Sequence, residues 1–491
     1  MRRRDAPQLP NGNNARRALT GVALLLCALA CGPGRAESTP APETVATQLR
    51  EAALAGHSIA YSWVSELTTR FGPRPAGSPG EQQAAEWAAA KLKALGFDNV
   101  HIEPFALTGW VRGTESAALV APSAQPLVVA ALGESPPTAA NGVEGDVVIF
   151  RSFQELAASR APLAGKIAMV SQRMVRTQDG EGYGEAVAPR IDGPKEAAQR
   201  GAVAFLLRSV GTDSHRQAHT GTTRYVDAKV PVPSFALSNP DADQLERIVA
   251  LGQIPRVHLY SSASYVAGTH SQNVVADLKG STRSREVVLL GAHLDSWDQG
   301  TGALDDGTGT AIIVAAVKLM RDLPHRPQRT VRVVLYGAEE VAQPNAPFGD
   351  FGGNAYAAGH LSEMPLHVLA GESDLGADRV YTLAVPEAVA KGEFRQAAER
   401  VLRPLGVLPA PRAAEEGGAD VDPLARAGVP LFSLNQDASR YFDLHHTPDD
   451  TLDKVDRAQL DQNVAAWAAF IWLAADGDVD FRSAAPQRSG S

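Results

Sequence analysis

The chain has 491 residues, of which 44% are hydrophobic, 21% are charged and 6% are aromatic. This composition is typical of a globular protein with a large core, and it excludes a disordered or fibrous chain. The formal net charge of −9 offers no basic surface for nucleic acid, so nucleic-acid binding is not expected.

The first 36 residues have the layout of a secretory signal peptide. Several arginines precede the apolar run Leu19 to Cys31, and glycine, proline and other small residues follow it. A membrane-spanning helix needs about 20 apolar residues, and this run is shorter. We therefore expect the mature chain to be exported, either to the periplasm or out of the cell.

Two ways of processing this segment stay open. Gly34-Arg35-Ala36 matches a small-x-small cleavage site, whereas Ala28-Leu29-Ala30-Cys31 resembles a loose lipobox in which Cys31 is acylated. The second route makes the protein a lipoprotein that touches the membrane only through that lipid. Both cysteines lie inside the segment, so in a chain that starts after Ala36 a transition metal must be bound by His, Asp and Glu.

The pattern of apolar residues predicts an α/β protein with one insertion. Ser78 and Glu81 form a capping box that starts a helix over 79–95, and residues 99–105 alternate like a strand. Later β-rich and helical runs take turns, as in a wound sheet with helices on both faces, and the last helix covers 457–475. The predicted divisions are a flexible lead-in at 37–46, two parts of one α/β domain at 47–109 and 266–480, a β-rich insert at 110–265 and a flexible tail at 481–491.

Polar clusters follow three of the predicted strands. They begin at His293, at Glu339 and at Glu372, and ligands of open α/β sheets bind at such strand ends. Asp305 stands 12 residues after His293, and His445-His446 come later in the chain. Imidazole and carboxylate are suitable ligands for zinc, and a shared carboxylate supports two metals about 3.5–4 Å apart. Each cluster alone is weak, but their joint order indicates a metal site.

Two details add to this hypothesis. Glu339 and Glu340 are adjacent, so at a strand end one can bind metal while the other faces a water molecule. Asp295 is expected to accept the second N–H of the His293 imidazole, as outer carboxylates of zinc sites often do.

Several motifs resemble a known family, the co-catalytic di-zinc exopeptidases typified by bacterial zinc aminopeptidases, and most closely the plasma glutamate carboxypeptidase branch. The resemblance covers nearly the whole mature chain. The segments that carry it are GAHLDSWDQGTGALDDGTG, GAEE, ESD, GVP, YFDLHHTPDDT, FGPRPAGS, WVRGTES and GAVAFLLRSV.

The resemblance implies a three-layer α/β/α fold with a mixed sheet, and a protease-associated insert at 110–265. It implies two zinc ions, a short peptide as substrate and, from relatives alone, a homodimer. Glu339 becomes the general base and Asp305 the bridging ligand. The implied metal ligands are His293, Asp305, Glu340, Asp374 and His446.

The family's last histidine ligand stands four residues before an Asp-Thr pair, which selects His446 and adds Asp450 as an outer residue. Some relatives carry a tyrosine where this chain has His445, so His445 is a candidate oxyanion donor. Asp420 falls near a substrate-side aspartate of the family, although a turn carboxylate explains it equally well. The segment after Glu340 is longer than the corresponding link in the family, and we expect it to reshape the rim of the substrate pocket.

The preferred interpretation is an exported di-zinc exopeptidase that acts on dipeptides or short peptides. The alternatives are a carboxypeptidase that removes C-terminal residues, a glutaminyl-cyclase-like enzyme with one zinc, and a receptor-like relative without activity. The full ligand set argues against the last two.

Overall fold

The computed structural model describes residues 40–223, 232–341, 351–414 and 416–482. The chain divides into two units, Met1–Pro40 and Ala41–Ser491, and every described helix and strand lies in the second. The predicted signal peptide, including Cys31, lies outside the described residues. Among the helices that are described, none is long and apolar enough to cross a bilayer.

The described helices and strands alternate along the chain, as the sequence predicts. The helices are α1 Pro42–Ala52, α2 Ala60–Phe71, α3 Pro79–Ala94, α4 Phe153–Ala158, α5 Glu181–Gln199, α6 Asn239–Ala250, α7 Thr308–Arg321, α8 Phe351–Gly359, α9 Glu393–Leu402, α10 Asp422–Arg426 and α11 Arg457–Asp476. The strands are β1 Asp98–Val111, β2 Glu115–Ala121, β3 Gln125–Leu127, β4 Val129–Ala131, β5 Val143–Phe150, β6 Ile167–Val170, β7 Ala204–Arg208, β8 Ser234–Leu237, β9 Arg256–Ser261, β10 Ser264–Leu278, β11 Arg283–His293, β12 Arg329–Tyr336, β13 His367–Glu372, β14 Val380–Ala384, β15 Leu408–Pro409 and β16 Ser433–Gln436.

A five-stranded mixed sheet carries the predicted metal residues. Its strand order is β1-β10-β12-β11-β13. The β12, β11 and β13 strands are parallel, whereas β1 and β10 are antiparallel to their neighbours. The carboxyl ends of the three parallel strands therefore lie side by side.

Helices cover both faces of this sheet. Along β11, Val288 and Leu290 pack into a core with α7 and α11, whereas Val287 and Leu289 pack on the opposite face with α8 and α10. Successive side chains of a strand point to opposite faces, and a strand that is buried on both faces is apolar throughout. The predicted mixed α/β fold is confirmed, with helical layers on either side of this sheet.

A second, eight-stranded sheet has the order β3-β2-β9-β5-β6-β7-β8-β4. All its strands fall between Glu115 and Ser261, within the range predicted for the insert. The long strands β1 and β10 pair with each other in the first sheet and connect it to the second. That this region is a protease-associated domain stays a prediction. A small third sheet has the order β15-β14-β16.

The local predictions are mostly confirmed, with corrections at the ends. Ser78 caps α3 by accepting the Glu81 N–H at 3.2 Å, but the Glu81 carboxylate accepts from Gly77 N–H instead of completing the capping box. The lead-in predicted at 37–46 is wrong from Pro42 onward, because α1 begins there and buries Val45 against α11.

The predicted flexible tail also begins too early. Phe481 is buried at 1% exposure, and Arg482 donates hydrogen bonds to the carbonyls of Met364 and His367. Residues 483–491 lie outside the described residues. Phe481 and Arg482 therefore pack on the domain after α11 has ended at Asp476.

Candidate metal centre and active site

The three parallel strands deliver the predicted polar clusters to one edge of the first sheet. His293 is the last residue of β11, Glu339 and Glu340 follow β12, and Asp374 follows β13. Because β12, β11 and β13 are neighbours, their ends bring these side chains together. The grouping that the sequence predicts is thus a direct result of sheet order.

Asp305 lies between the two predicted histidine ligands. Its Oδ1 is 3.2 Å from His293 Nε2, and its Oδ2 is 3.2 Å from His446 Nε2. On one side, His293 Nε2 is also 3.2 Å from Asp374 Oδ1, and on the other His446 Nε2 is 3.0 Å from Glu340 Oε2. Each histidine thus shares the same bridging carboxylate and has one further carboxylate of its own.

Backbone carbonyls hold the second nitrogen of both imidazoles. His293 Nδ1 lies 3.0 Å from the Asp295 carbonyl, and His446 Nδ1 lies 3.3 Å from the Thr220 carbonyl. These contacts favour the tautomer whose Nε2 is free to bind a metal. For Asp295 the prediction named the right residue and the wrong atom, since its carboxylate Oδ1 is 3.7 Å from His293 Nδ1.

The Asp295 carboxylate instead orients the glutamate pair. Its two oxygens accept the N–H groups of Glu339 at 3.1 Å and of Glu340 at 3.2 Å. Asp450 acts similarly on the loop that carries Asp305, because its Oδ1 accepts the Ala303 and Leu304 N–H groups at 2.9 and 2.6 Å. The Asp295 and Asp450 carboxylates therefore hydrogen-bond to backbone N–H groups and not to an imidazole. By fixing these backbone segments they set the positions of the metal-site side chains.

The donor set fits zinc. Zinc binds imidazole nitrogen and carboxylate oxygen, and the side chains that converge at the centre among the described residues offer these two kinds of atom. Asp305 Oδ2, Glu340 Oε1 and Asp374 Oδ1 are buried without a hydrogen-bond partner in the described part of the chain. Buried acceptors are normally satisfied, so converging unsatisfied oxygens indicate a cation.

Charge crowding supports the same interpretation. Burial, together with the charge of Asp305, raises the pKa of Glu340 to about 7. Burial also raises the pKa of Asp374. Burial opposes ionisation of Asp305 as well, but its close contacts with the His293 and His446 imidazoles outweigh it and hold its pKa well below the usual value. A bound cation favours ionisation of all these carboxylates together.

Asp306 competes with Asp305 for the bridging role on position alone, since its ligand atoms also lie near those of His293 and Asp374. Its carboxylate is already engaged, however. Oδ2 accepts the His293 N–H at 3.1 Å, and Oδ1 accepts the Gly309 N–H at 3.0 Å at the start of α7. Asp306 therefore anchors the loop, while Asp305 has an oxygen directed to each histidine.

A cavity of about 460 Å³ opens onto this centre. Glu339, Glu340, Asp305, Asp374 and His446 line it. Glu339 is partly buried, and its carboxylate makes no hydrogen bond with any residue in the described ranges. Both its oxygens are thus available to a molecule in the cavity.

His445 lines the same cavity beside the metal centre. It is 3% exposed, its ring stacks on His446 with centroids 4.1 Å apart, and neither ring nitrogen has a hydrogen-bond partner among the described residues. Burial and the neighbouring His446 lower its pKa well below the usual value. A neutral imidazole with a free N–H is therefore present at the cavity wall.

Asp420 does not line the cavity, where its neighbour Ala419 is found instead. It is fully buried, its Oδ1 accepts the Gly353 N–H at 2.9 Å, and its own N–H donates to Glu372. These contacts fix loops behind the site and agree with the alternative of a turn carboxylate, while contact of Asp420 with substrate stays a prediction. The long segment after Glu340 lies largely at 342–350, outside the described residues.

Sequence reasoning missed several residues that build the site. Arg74 is fully buried and donates to the carbonyls of Leu294, Thr301 and Gly302, which fixes the loop before Asp305. Tyr183 and Arg190 of α5 line the cavity from the second sheet. Their spacing of seven residues predicts that they share one face of a helix. The sequence does not indicate that this face lies against the metal centre.

Comparison with known proteins agrees with this geometry. The sequence profile of Peptidase family M28 matches residues 273–471. Carboxypeptidase Q of Mus musculus is 34% identical over 418 residues, which are 85% of this chain and 86% of that protein. A crystal structure of a Peptidase M28 precursor from Shewanella amazonensis has a TM-score of 0.86 and 44% identity, and the match covers 91% of this chain and 99% of that one.

A zinc aminopeptidase from Bacillus subtilis shares the fold with a TM-score of 0.61 at 21% identity, over 86% of this chain and 96% of that one. The relatives thus confirm the predicted family and favour an exopeptidase over the cyclase-like and receptor-like alternatives. The chain belongs to peptidase family M28 and is a zinc-dependent exopeptidase of that family.

Proposed function

We propose that this protein is an exported di-zinc exopeptidase that hydrolyses dipeptides or short peptides. The observation that carries the proposal is the position of Asp305 between two histidines, each of which also faces its own carboxylate. His293, Asp305 and Asp374 would hold one zinc ion, and Asp305, Glu340 and His446 the other. Two zinc ions so held supply Lewis acidity that favours ionisation of water near neutral pH and polarises a carbonyl.

Glu339 is the proposed general base and acid. Its carboxylate faces the cavity free of hydrogen bonds to described residues, and Asp295 holds its backbone. It takes the proton of the attacking water and later gives it to the nitrogen of the leaving amine, so that the C–N bond breaks as the amine leaves neutral. One carboxylate thus performs both proton transfers.

His445 is the proposed donor to the oxyanion of the tetrahedral intermediate. Its lowered pKa keeps the ring neutral, so one nitrogen carries a proton that no described residue accepts. A buried hydrogen-bond donor that is already in position stabilises the negative charge that develops on the oxygen, because it does not have to reorient during the reaction. If the His445→Ala variant keeps normal turnover, this role is wrong.

Export by the N-terminal segment, with or without a lipid at Cys31, belongs to the same proposal, as does a homodimer. Mass spectrometry of the mature N-terminus decides between cleavage after Ala36 and acylation. Analytical ultracentrifugation decides the oligomeric state.

The proposal is tested by zinc content and peptide hydrolysis measured on the same preparation of mature protein. The panel contains dipeptides, N-acetyl dipeptides and tripeptides, and the variant is Glu339→Gln. We expect about two zinc ions per chain, cleavage of peptides with free N-termini, and loss of turnover in the variant at unchanged zinc content. One zinc per chain, or turnover that survives in Glu339→Gln, contradicts the proposed mechanism.

A further inference from the structure

Helix α5 presents one face to the cavity of the metal centre. Tyr183, Val187, Arg190 and Ile191 line that cavity, and they are spaced as residues on one side of a helix. The face comes from the second sheet region, whereas the metal ligands come from strand ends of the first and from the loop at His446. Arg190 therefore places a positive charge in a cavity whose lining also contains the carboxylates of the metal centre and Glu339.

Arg190 is buried, and no residue in the described part of the chain serves as its counterion. It is 4% exposed, Nη1 donates to the Tyr183 hydroxyl at 2.8 Å, and Nε has no hydrogen-bond partner in the described ranges. No carboxylate among the described residues forms an ion pair with it. Because an unpaired buried charge is costly, a guanidinium kept in this state indicates an anion that binds there from outside.

The guanidinium is also fixed in place. A Cβ at Gly221, whose φ is +133°, would overlap the guanidinium, so only glycine lets the backbone approach this closely. The Tyr183 ring lies on another side, with its centroid 5.6 Å from Arg190 Cζ. A guanidinium held in this way is positioned to bind a carboxylate through the N–H groups that Tyr183 does not accept.

Ring contacts connect this cation to the proposed chemistry. The Tyr183 ring meets His445 edge-on with centroids 5.1 Å apart, and His445 stacks on the metal-site residue His446 at 4.1 Å. Tyr183 in turn stacks on Phe442 at 4.4 Å. Arg190 is therefore linked to His445 and His446 through the Tyr183 ring, and all four residues line the same cavity.

We propose that Arg190 binds the free α-carboxylate of the substrate, on the residue that leaves as the amine. The inference rests on the proposed peptide hydrolysis and narrows it to dipeptides and other peptides whose C-terminus lies next to the scissile bond. Arg190 is a substrate-binding residue that selects this terminus. The metal centre and Glu339 perform the same chemistry with or without it.

The test compares L-alanyl-L-alanine with its C-terminal amide, and with L-alanyl-L-glutamic α-amide, which has a carboxylate only in the side chain. Full-length zinc-loaded protein is assayed as wild type, Arg190→Met and Arg190→Lys. The control is Arg173→Met, which removes an exposed arginine paired with Asp243 and Glu246. Zinc content and thermal unfolding are measured for every variant.

We expect the wild type to prefer the free acid over both amides by about 10–100-fold in kcat/KM, as a charged hydrogen bond allows. Arg190→Met loses this preference through KM, Arg190→Lys keeps part of it, and Arg173→Met keeps all of it. In calorimetry, wild type binds free L-alanine more tightly than L-alaninamide, and Arg190→Met shows no difference. Preference for the glutamic α-amide over the alanine amide assigns Arg190 to a side-chain acid and overturns the proposal.

Other outcomes also overturn it. If wild type cleaves acid and amide equally, or if Arg190→Met loses both equally together with its zinc, Arg190 only balances the charge of the metal centre. Failure of the underlying function is different, since no peptide in the panel is then cleaved by the wild type. The calorimetric comparison needs no turnover and so separates the two failures.

Discussion

The carboxyl edge of the first sheet and the inner face of α5 share one cavity but carry opposite charge. The sheet edge brings carboxylates and imidazoles close enough to shift one another's pKa, whereas α5 contributes one arginine that has no counterion among the described residues. The two regions are also built differently. Strand ends fix the first through backbone hydrogen bonds, and aromatic stacking and a close glycine fix the second.

This difference separates chemistry from selection. A zinc centre needs ligands at fixed positions, which neighbouring parallel strands provide. Recognition of a charged substrate terminus needs one charge at the right position. The region of the second sheet can supply that charge through Arg190 without any change in the metal ligands of the first sheet. Substitutions at the sheet edge should therefore lower turnover for every peptide, while substitutions of Arg190 on the cavity face of α5 should change which peptide is preferred.

Glu339→Gln should produce the largest effect on turnover. Loss of the proton acceptor at the sheet edge should lower kcat by about 100-fold to 10,000-fold for acid and amide substrates alike. Elemental analysis should find unchanged zinc, since Glu339 is not a ligand in the proposed mechanism. Glu185→Gln, an exposed glutamate on α5, is the matched control. A change in the preference between acid and amide substrates in Glu339→Gln would contradict the assignment of substrate selection to α5.

Asp374→Asn should remove one of the two zinc ions. Of the two histidines, Asp374 contacts His293, whereas Glu340 contacts His446, so the site formed by Glu340 and His446 should keep its metal. Zinc per chain should fall from two toward one, and activity should fall by more than the ~10–100-fold typical of an outer residue. Asp378→Asn, whose carboxylate pairs with Arg440, serves as the control. Loss of both zinc ions would show that the halves of the centre are not independent.

Asp295→Asn should have a smaller effect because it acts through the backbone. An amide cannot accept the Glu339 and Glu340 N–H groups with both of its polar atoms. Loss of an outer-shell partner typically costs ~10–100-fold in metal affinity or activity. A zinc competition assay with a chelator should detect the weakened binding. Unchanged affinity and turnover would mean that the strand end alone positions the glutamate pair.

The smallest effect concerns stability away from the cavity. His360 Nε2 is 2.8 Å from Glu103 Oε1, and this hydrogen bond, opposed by burial, raises the pKa of His360 above 6.5. Glu363 lies near the same imidazole, and His101 near Glu103. A raised pKa gives stability that is complete below pH 6.5 and is lost as pH rises through the folded-state value.

His360→Gln should therefore lower stability by about 0.5 kcal/mol at pH 6 and by less at pH 9, as for other partly exposed ion pairs. Thermal unfolding at the two pH values measures this difference, and Glu103→Gln should mimic it. An equal loss at both pH values would mean that packing on Tyr356, whose ring stacks on His360 at 4.2 Å, accounts for the whole contribution. Neither variant should alter substrate preference.

Much of the first region was predictable because its signals are local. Apolar runs give the strands, the polar residue after each run gives a candidate ligand, and adjacent parallel strands must place their ends together. The bridging position of Asp305 came only from family resemblance, since spacing alone does not separate it from Asp306. Hydrogen bonds from His293 and Gly309 to Asp306 distinguish the two in the structure.

The second region was not predictable in the same way. Arg190 has no distinctive sequence context, and Thr220, whose carbonyl holds His446, is an ordinary loop residue. For Asp420 the sequence left two interpretations open, because nothing in its neighbours indicates that it is fully buried. Contacts between residues far apart in the chain decide all three.

The sequence by itself determined the order of strands and helices, the chemical types of the ligands and hence the family. Those depend on side-chain periodicity and on residues adjacent to strand ends. Only the tertiary structure decided which aspartate has an oxygen near each histidine, which atom of Asp295 faces His293 and where Arg190 lies. The physical reason is that orientation and burial are set by packing between distant segments, and a linear pattern carries no information about the partner.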